Sequence, residues 1–486
     1  MKNNKMKMKT LNAIAAVGLA THIAAAQPAL TIYNQNFAVV RDTVPLDLTS
    51  GVNEVRFSGA TAHLEPDSVI LRDPAGKRSL QILEQNYRND PLSQELLLSM
   101  FEGKTIDFQT ERLKDNTTVR EIVPGKIIRS GYIPGAGQEQ PIIEVNGKLQ
   151  FALPGQPLFP SLGDDTILKP ALNWLLRADK PGKLDAEVSY VTGGFTWNAD
   201  YNLVAPEKGD TVDLIGWITM NNQSGKTFEN AKIKLLAGDV NKIQPAPQME
   251  MLGRAKMEYV VNAAMDATVS EKSFDEFHLY TVARQTTLRD RETKQVEFAR
   301  AESVKAPAIY IYDGAEGFTF YGGRNNDPGY GSTSNKKVWV YREFMNAETN
   351  RLGIALPAGK LRFYRRGDDG QLEFTGENEI DHTPRNELVR VKTGNSFDLV
   401  GERRATDFKT DRSDKWMTET FEIKLRNRKK EAVEIRVVEH LFRWSNWKIT
   451  AHSASYKKTD AQTIEFRETV KPDEEKIITY TVHYSW

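Results

Sequence analysis

The chain has no cysteine. This excludes a disulfide framework, a thiolate metal site, a thiol nucleophile and lipid attachment through an N-terminal cysteine. With 486 residues it does not need disulfides, because a core of useful size can form without them. Excess charge is also missing, with 65 basic residues against 65 acidic ones. Such a balance is a poor electrostatic match for nucleic acid or an anionic membrane surface. Beyond residue 26 no stretch approaches 18 uninterrupted apolar residues, so no spanning helix is expected there. The HExxH, GxSxG, P-loop and GxGxxG patterns are absent. The histidines after residue 26 are His63, His278, His382, His440, His452 and His483. No two of them sit at i, i+2 or i, i+4, so no local zinc pair exists on a strand or a helix. No cofactor and no metal are expected.

What is present begins with an export pattern. Lys2, Lys5, Lys7 and Lys9 precede the mostly apolar LNAIAAVGLATHIAAA. Ala24 and Ala26 supply a small-x-small cleavage site, so residues 1–26 are expected to be a removable signal peptide. The remaining residues, 27–486, read as β almost throughout. Short alternating runs such as FAVVRDTVPLDL, VNEVRF and DSVILRD predict an N-terminal β-sandwich over 27–100. Within it, DPLSQELLLSMFEG is the one expected helix, capped by Asp90 or Ser93 and ended by Gly103. Five short strands in 101–163 predict a small SH3-like barrel, with Asn146-Gly147 as a type I′ hairpin turn. Longer strands follow in a central β-domain over 180–345, interrupted by a methionine-rich loop at 243–276 with a possible helix over 255–267. A β-domain at 346–414 and an immunoglobulin-like module at 415–486 complete the expected all-β, multi-module architecture. No internal repeat of fixed short period is evident.

The last residues, IITYTVHYSW, alternate and end on an aromatic, as the closing strand of an outer-membrane barrel does. Such a barrel needs eight or more strands of about 9–11 residues. The strands here are mostly shorter and grouped, and charged residues are 27% of the chain. The segment is therefore read as the last strand of a soluble sandwich, with its aromatic face inward.

The phrases VSYVTGGFTWNADYNLV, WITMNNQSGKTFENAKIKLLAGDVN, FHLYTV, LPAGKLRFY, EIDHTP and VVEHLFRWSNWKI carry a family resemblance, as does LDLTSGVNEVRFSGATAHLEPDSVIL. The chain resembles a large bacterial family of exported proteins defined only as a domain of unknown function. Some members of it are catalogued as mucoidy-inhibitor-like. The resemblance implies an all-β envelope protein and brings no catalytic residues with it. The common variant carries a coiled coil between its β-regions. Here the small barrel stands in that place.

Few residues offer chemistry. In EIDHTPRNE, Asp381 can cap a turn and Pro384 restricts its neighbour, while Asp381, His382 and Arg385 are also candidates for a small polar site. Trp444 lies in a turn and is a candidate exposed contact, whereas Trp447 opens an alternating strand. Trp197, Ala199 and Tyr201 share one strand face and read as core. Glu439 and His440 are adjacent on a strand and so point to opposite faces, a poor geometry for an acid–base pair. RGD at Arg366-Gly367-Asp368 sits in a hairpin that Asp369-Gly370 already explains. Together these features predict a non-enzymatic, exported β-domain protein, a binding or scaffolding component of the cell envelope. Its expected partner is an envelope protein or a glycan. Glycan binding or hydrolysis is the alternative.

Overall fold

The computed structural model describes residues 27–89, 93–114, 117–133, 139–160, 162, 167–238, 240–242, 269–274, 276–320, 323–332 and 334–486. The expected signal at 1–26, Asp90, and most of the 243–276 loop with its helix lie outside the described residues. Among the described residues regular structure is nearly all strand, with one α-helix, Gln94–Met100. The Ser93 side chain caps that helix by accepting from the Leu96 N–H, and Gly103 follows at φ +79°. Period-2 alternation accounts for the strands: in Trp416–Asn427 every second side chain, from Met417 to Asn427, is buried.

Two modules of one topology make up most of the molecule. In the first, Ala29–Tyr33 pairs antiparallel with Phe37–Leu48 and parallel with Phe228–Ala237. Phe37–Leu48 pairs with Gly182–Gly193, and the chain bends at Gly194 (φ +81°) into Phe195–Ala205. That strand forms a hairpin with Thr211–Asn222, which pairs in turn with Glu292–Lys305. Phe228–Ala237 pairs on its other side with Phe277–Val282. The second module repeats the circuit. Ala308–Asp313 pairs antiparallel with Lys337–Met345 and parallel with Val433–His440. The single strand Leu388–Asp411 pairs with Lys337–Met345 through its first half and with Trp416–Asn427 through its second. Trp416–Asn427 pairs with Glu475–Ser485, and Val433–His440 with Thr463–Val470.

Each module turns at a buried asparagine. Asn222 ends its strand fully buried, and its Nδ2 donates to the carbonyls of Lys226, Leu288 and Arg289. Asn427 ends the equivalent strand, and its Nδ2 donates to the carbonyls of Glu431 and Val470. A side-chain amide here satisfies carbonyls that no neighbouring strand reaches, as a buried polar backbone requires.

Strand pairing crosses three of the expected domain boundaries. Residues 27–100 are no separate sandwich, because their first strands share a sheet with Gly182–Gly193 and Phe228–Ala237. The 346–414 segment is split. Gly359–Arg366 and Leu372–Ile380 join the sheet of the first module, through the parallel pair of Phe195–Ala205 with Gly359–Arg366, and Leu388–Asp411 joins the second. The 415–486 module supplies six strands of a nine-stranded sheet that also takes Ala308–Asp313, Lys337–Met345 and Leu388–Asp411. The physical reason is the same in each case. An edge left open by one segment is closed by a strand far away in sequence. Ile478, Tyr480, Val482 and Tyr484 of the last strand are buried in the core of this second module.

The segment expected as a small barrel is a five-stranded sheet with its own core of Leu98, Ile106, Phe108, Ile127, Ile143 and Val145. Its hairpin turns through Asn146 (φ +51°) and Gly147 (φ +73°), both in the left-handed region that a type I′ turn requires.

Candidate functional site

The second module buries a cluster of four charged side chains, apart from Arg342, which donates to the Ala306 carbonyl. Arg403, Glu419, Glu439 and Arg443 are exposed by only 4, 4, 1 and 3%. Alternation places three of them there. Arg403 follows Leu399 and Gly401 in phase, Glu419 precedes Phe421 and Ile423, and Glu439 follows Ile435 and Val437. Arg443 comes from the turn after Val433–His440.

They form two pairs, each backed by a tyrosine. Arg403 Nε donates to both oxygens of Glu439, at 2.8 and 3.1 Å, and the Tyr480 hydroxyl donates to the same carboxylate at 2.6 Å. Arg443 Nε donates to Glu419 at 2.6 Å, with the Tyr484 hydroxyl donating from the other side at 3.1 Å. Burial pushes both phenols well above their ordinary range, which keeps them protonated as donors. Burial also raises the Glu419 carboxyl, against the pull of Arg443. For Arg403 burial works to lower the value, but the adjacent Glu439 more than reverses it, so the guanidinium stays charged.

A small cleft of about 10 Å³, room for little more than one water molecule, opens beside these pairs. Phe320, Tyr330, Phe442 and His440 line it with Arg403, Glu419 and Arg443. The His440 ring stacks on Phe442 with centroids 5.1 Å apart, and its Nε2 lies 2.8 Å from Asp313 Oδ2. Burial tends to lower the His440 pKa, and the hydrogen-bonded Asp313 raises it above the ordinary histidine value overall. Glu439 and His440 do point to opposite faces, Glu439 into the core and His440 toward Asp313. Among the described residues no group of three or more potential metal ligands converges. Chemically, the cluster has strong donors and acceptors, and its two carboxylates already hold an arginine and a tyrosine each.

The residues singled out in EIDHTPRNE lie elsewhere. Asp381, His382 and Arg385 follow Leu372–Ile380 in a turn closed by mutual backbone bonds of Leu356 and Thr383. Thr383 Oγ1 donates to the Asp381 backbone carbonyl, and His382 Nδ1 accepts from the Ala358 N–H at 3.1 Å. Arg385 reaches Glu271 at 3.6 Å, and Glu271 also bonds His278 Nδ1 at 2.8 Å. The His278 hydrogen bond, with Arg385 behind it, holds Glu271 below the ordinary carboxylate range. The carboxylate that Arg385 meets is thus one from a distant strand, Val269–Phe274. Trp444 is half-buried against the core of the second module, not an exposed contact. Arg403 and Glu419 were not among the candidates. Their signal was a charged residue in the apolar phase of a strand.

Comparison with curated proteins finds no match. A family model described as a domain of unknown function, DUF4139, matches residues 186–486, from within the strand Gly182–Gly193 to the end of the second module. With well over half its length matched, and the charged cluster inside the matched region, the chain belongs to the DUF4139 family.

Proposed function

We propose that this chain is an exported, non-enzymatic β-domain protein, a binding or scaffolding component of the bacterial cell envelope whose partner is an envelope protein. A relation to mucoidy-inhibitor-like proteins belongs to the same proposal. Export is supported by the signal-like order of charge, apolar run and small residues in 1–26. Among the described residues no helix is long and apolar enough to cross a membrane.

The observation that carries the binding reading is where apolar surface is left open. Among the described residues, nine of the nineteen exposed large apolar side chains fall between residues 119 and 168, in and just after the five-stranded unit. Ile122, Leu149, Phe151 and Leu168 are each at least 60% exposed. Concentrated apolar exposure of this kind is characteristic of contact surfaces.

The cleft gives little support to catalysis. With about 10 Å³ of room it is far smaller than the roughly 300–1,000 Å³ of ordinary ligand pockets. Glycan hydrolysis asks for two working carboxylates roughly 5–10 Å apart across a groove. Glu419 and Glu439 are instead neutralised by arginines in the core. The aromatic lining of the cleft is what remains in favour of a glycan ligand.

In-cell crosslinking of the tagged native protein with mass spectrometry tests the proposal. The expected result is one dominant envelope protein joined through the 119–168 surface. Enrichment of glycan alone would move the glycan reading to the front and overturn this one.

A further inference from the structure

A sandwich of this topology closes without buried charge. Counting back from Asn222 and Asn427, Ile218 pairs with Ala199 where Ile423 pairs with Arg403, and Leu214 stands where Glu419 stands. The first module is therefore apolar at two of the positions where the second buries ions. A buried ion pair is commonly no better for stability than well-packed apolar residues of the same volume. Closing the sheet does not explain the pairs.

What the arginines hold is the loop 323–332. Arg443 Nη1 donates to the carbonyl of Asp327 at 2.6 Å, and Nη2 to that of Tyr330 at 2.8 Å. Longer bonds of 3.4 Å reach the carbonyls of Asn325 and Pro328. Arg403 Nη1 donates to the Gly331 carbonyl at 2.6 Å, and the Asn325 N–H returns a bond to the Arg443 carbonyl at 3.2 Å. The Tyr330 ring sits edge-on to Phe318 and Phe320, with centroids at 5.3 and 6.2 Å. Fixed from beneath, the loop shows Arg324, Asp327, Pro328, Gly329 and Ser332 to solvent. The Arg324 guanidinium is stacked on the Trp486 ring at 4.4 Å, with no carboxylate paired to it among the described residues.

Rigid loops lose little entropy on binding, and Arg and Trp are enriched among the residues that dominate protein interfaces. We propose that 323–332 is a pre-organised recognition loop, anchored by the Arg403–Glu439 and Arg443–Glu419 pairs, which binds an acidic segment of a partner protein through Arg324. This rests on the binding function proposed above and names a second contact for it.

Two measurements on the full-length chain test the anchor and the recognition separately. In E419L/R443M, amides of 325–331 should exchange about tenfold faster while Trp416–Asn427 keeps its protection. R443K keeps the charge but loses the forked donors, and serves the same purpose if the double variant does not fold. Unchanged loop protection overturns the anchor. For recognition, a photo-crosslinking side chain replaces Gly329, where an added Cβ meets no atom beyond its chain neighbours closer than 3.4 Å, or, in a parallel variant, the exposed Leu149. The expected adduct in cells is an acidic segment of one protein, reduced about tenfold by R324A and partly restored by R324K. A glycan adduct, a protein adduct indifferent to R324A, or adducts at Leu149 with none at 329 would each overturn it. No adduct at either position would sink the binding function itself.

Discussion

The two modules follow one strand circuit and bury different cores. The first is apolar at Ala199 and Leu214, where the second places Arg403 and Glu419 at the matching register positions. Both keep the corner asparagine, Asn222 in one and Asn427 in the other. The shared residue does a job that the topology imposes, since a strand that leaves its sheet strands carbonyls in the core. The differing residues do a job that only one module has, which is to hold the loop 323–332. Shared polar residues thus report on the fold, and unshared ones report on what was added to it.

The largest test of that contrast is R443A. It leaves Glu419 buried without its cation, and is expected to cost about 3–5 kcal/mol in urea unfolding of the second module. A loss below about 1 kcal/mol would mean that the pair is not desolvated as described.

N222A and N427A come next. Each orphans buried carbonyls and should cost about 1–3 kcal/mol, by similar amounts in the two modules. A large cost in one and none in the other would break the equivalence of the corners.

A smaller effect concerns pH. His440 has a folded pKa raised by Asp313, so its contribution is complete below the unfolded value and is lost as pH rises through the folded one. Wild type should therefore exceed D313N in melting temperature by more at pH 6 than at pH 8. A difference independent of pH would assign the contact to packing alone. Glu271, held low by His278, behaves oppositely, its contribution being lost as pH falls through its folded value.

The smallest expected change is in E419L/R443M. Replacing both partners with apolar residues makes the second module resemble the first, and its stability should stay within about 1 kcal/mol of wild type. A loss as large as that of R443A alone would show that the second sandwich needs the ions to close.

Much of the local structure is readable in the residues themselves. Ser93 caps a helix, Asn146-Gly147 turns a hairpin, and alternation in TFEIKLRN and IITYTVHYSW assigns each face correctly. The core reading of Trp197, Ala199 and Tyr201 rests on the same period, and all three are buried. The candidate site was half visible. Glu439 stands out because it interrupts a run of apolar residues in phase, and Glu419 and Arg403 do the same less conspicuously. What pairs with what was not readable. Arg443 meets Glu419, and Arg385 meets Glu271, across separations that no local pattern spans.

The duplication hid for a related reason. The first module carries an insertion, residues 49–181, between its second and third strands, and the second carries 346–387 in the same place. A repeat broken by inserts of such unequal length has no constant period. By itself the sequence determined the strands, their faces and the turns, because those depend on neighbours one to four residues away. Only the tertiary structure decided which edges close which sheets, and which buried charges meet. Hydrogen bonds across a sheet and ion pairs within a core answer to distance in space, and an alternating strand can satisfy many partners equally well.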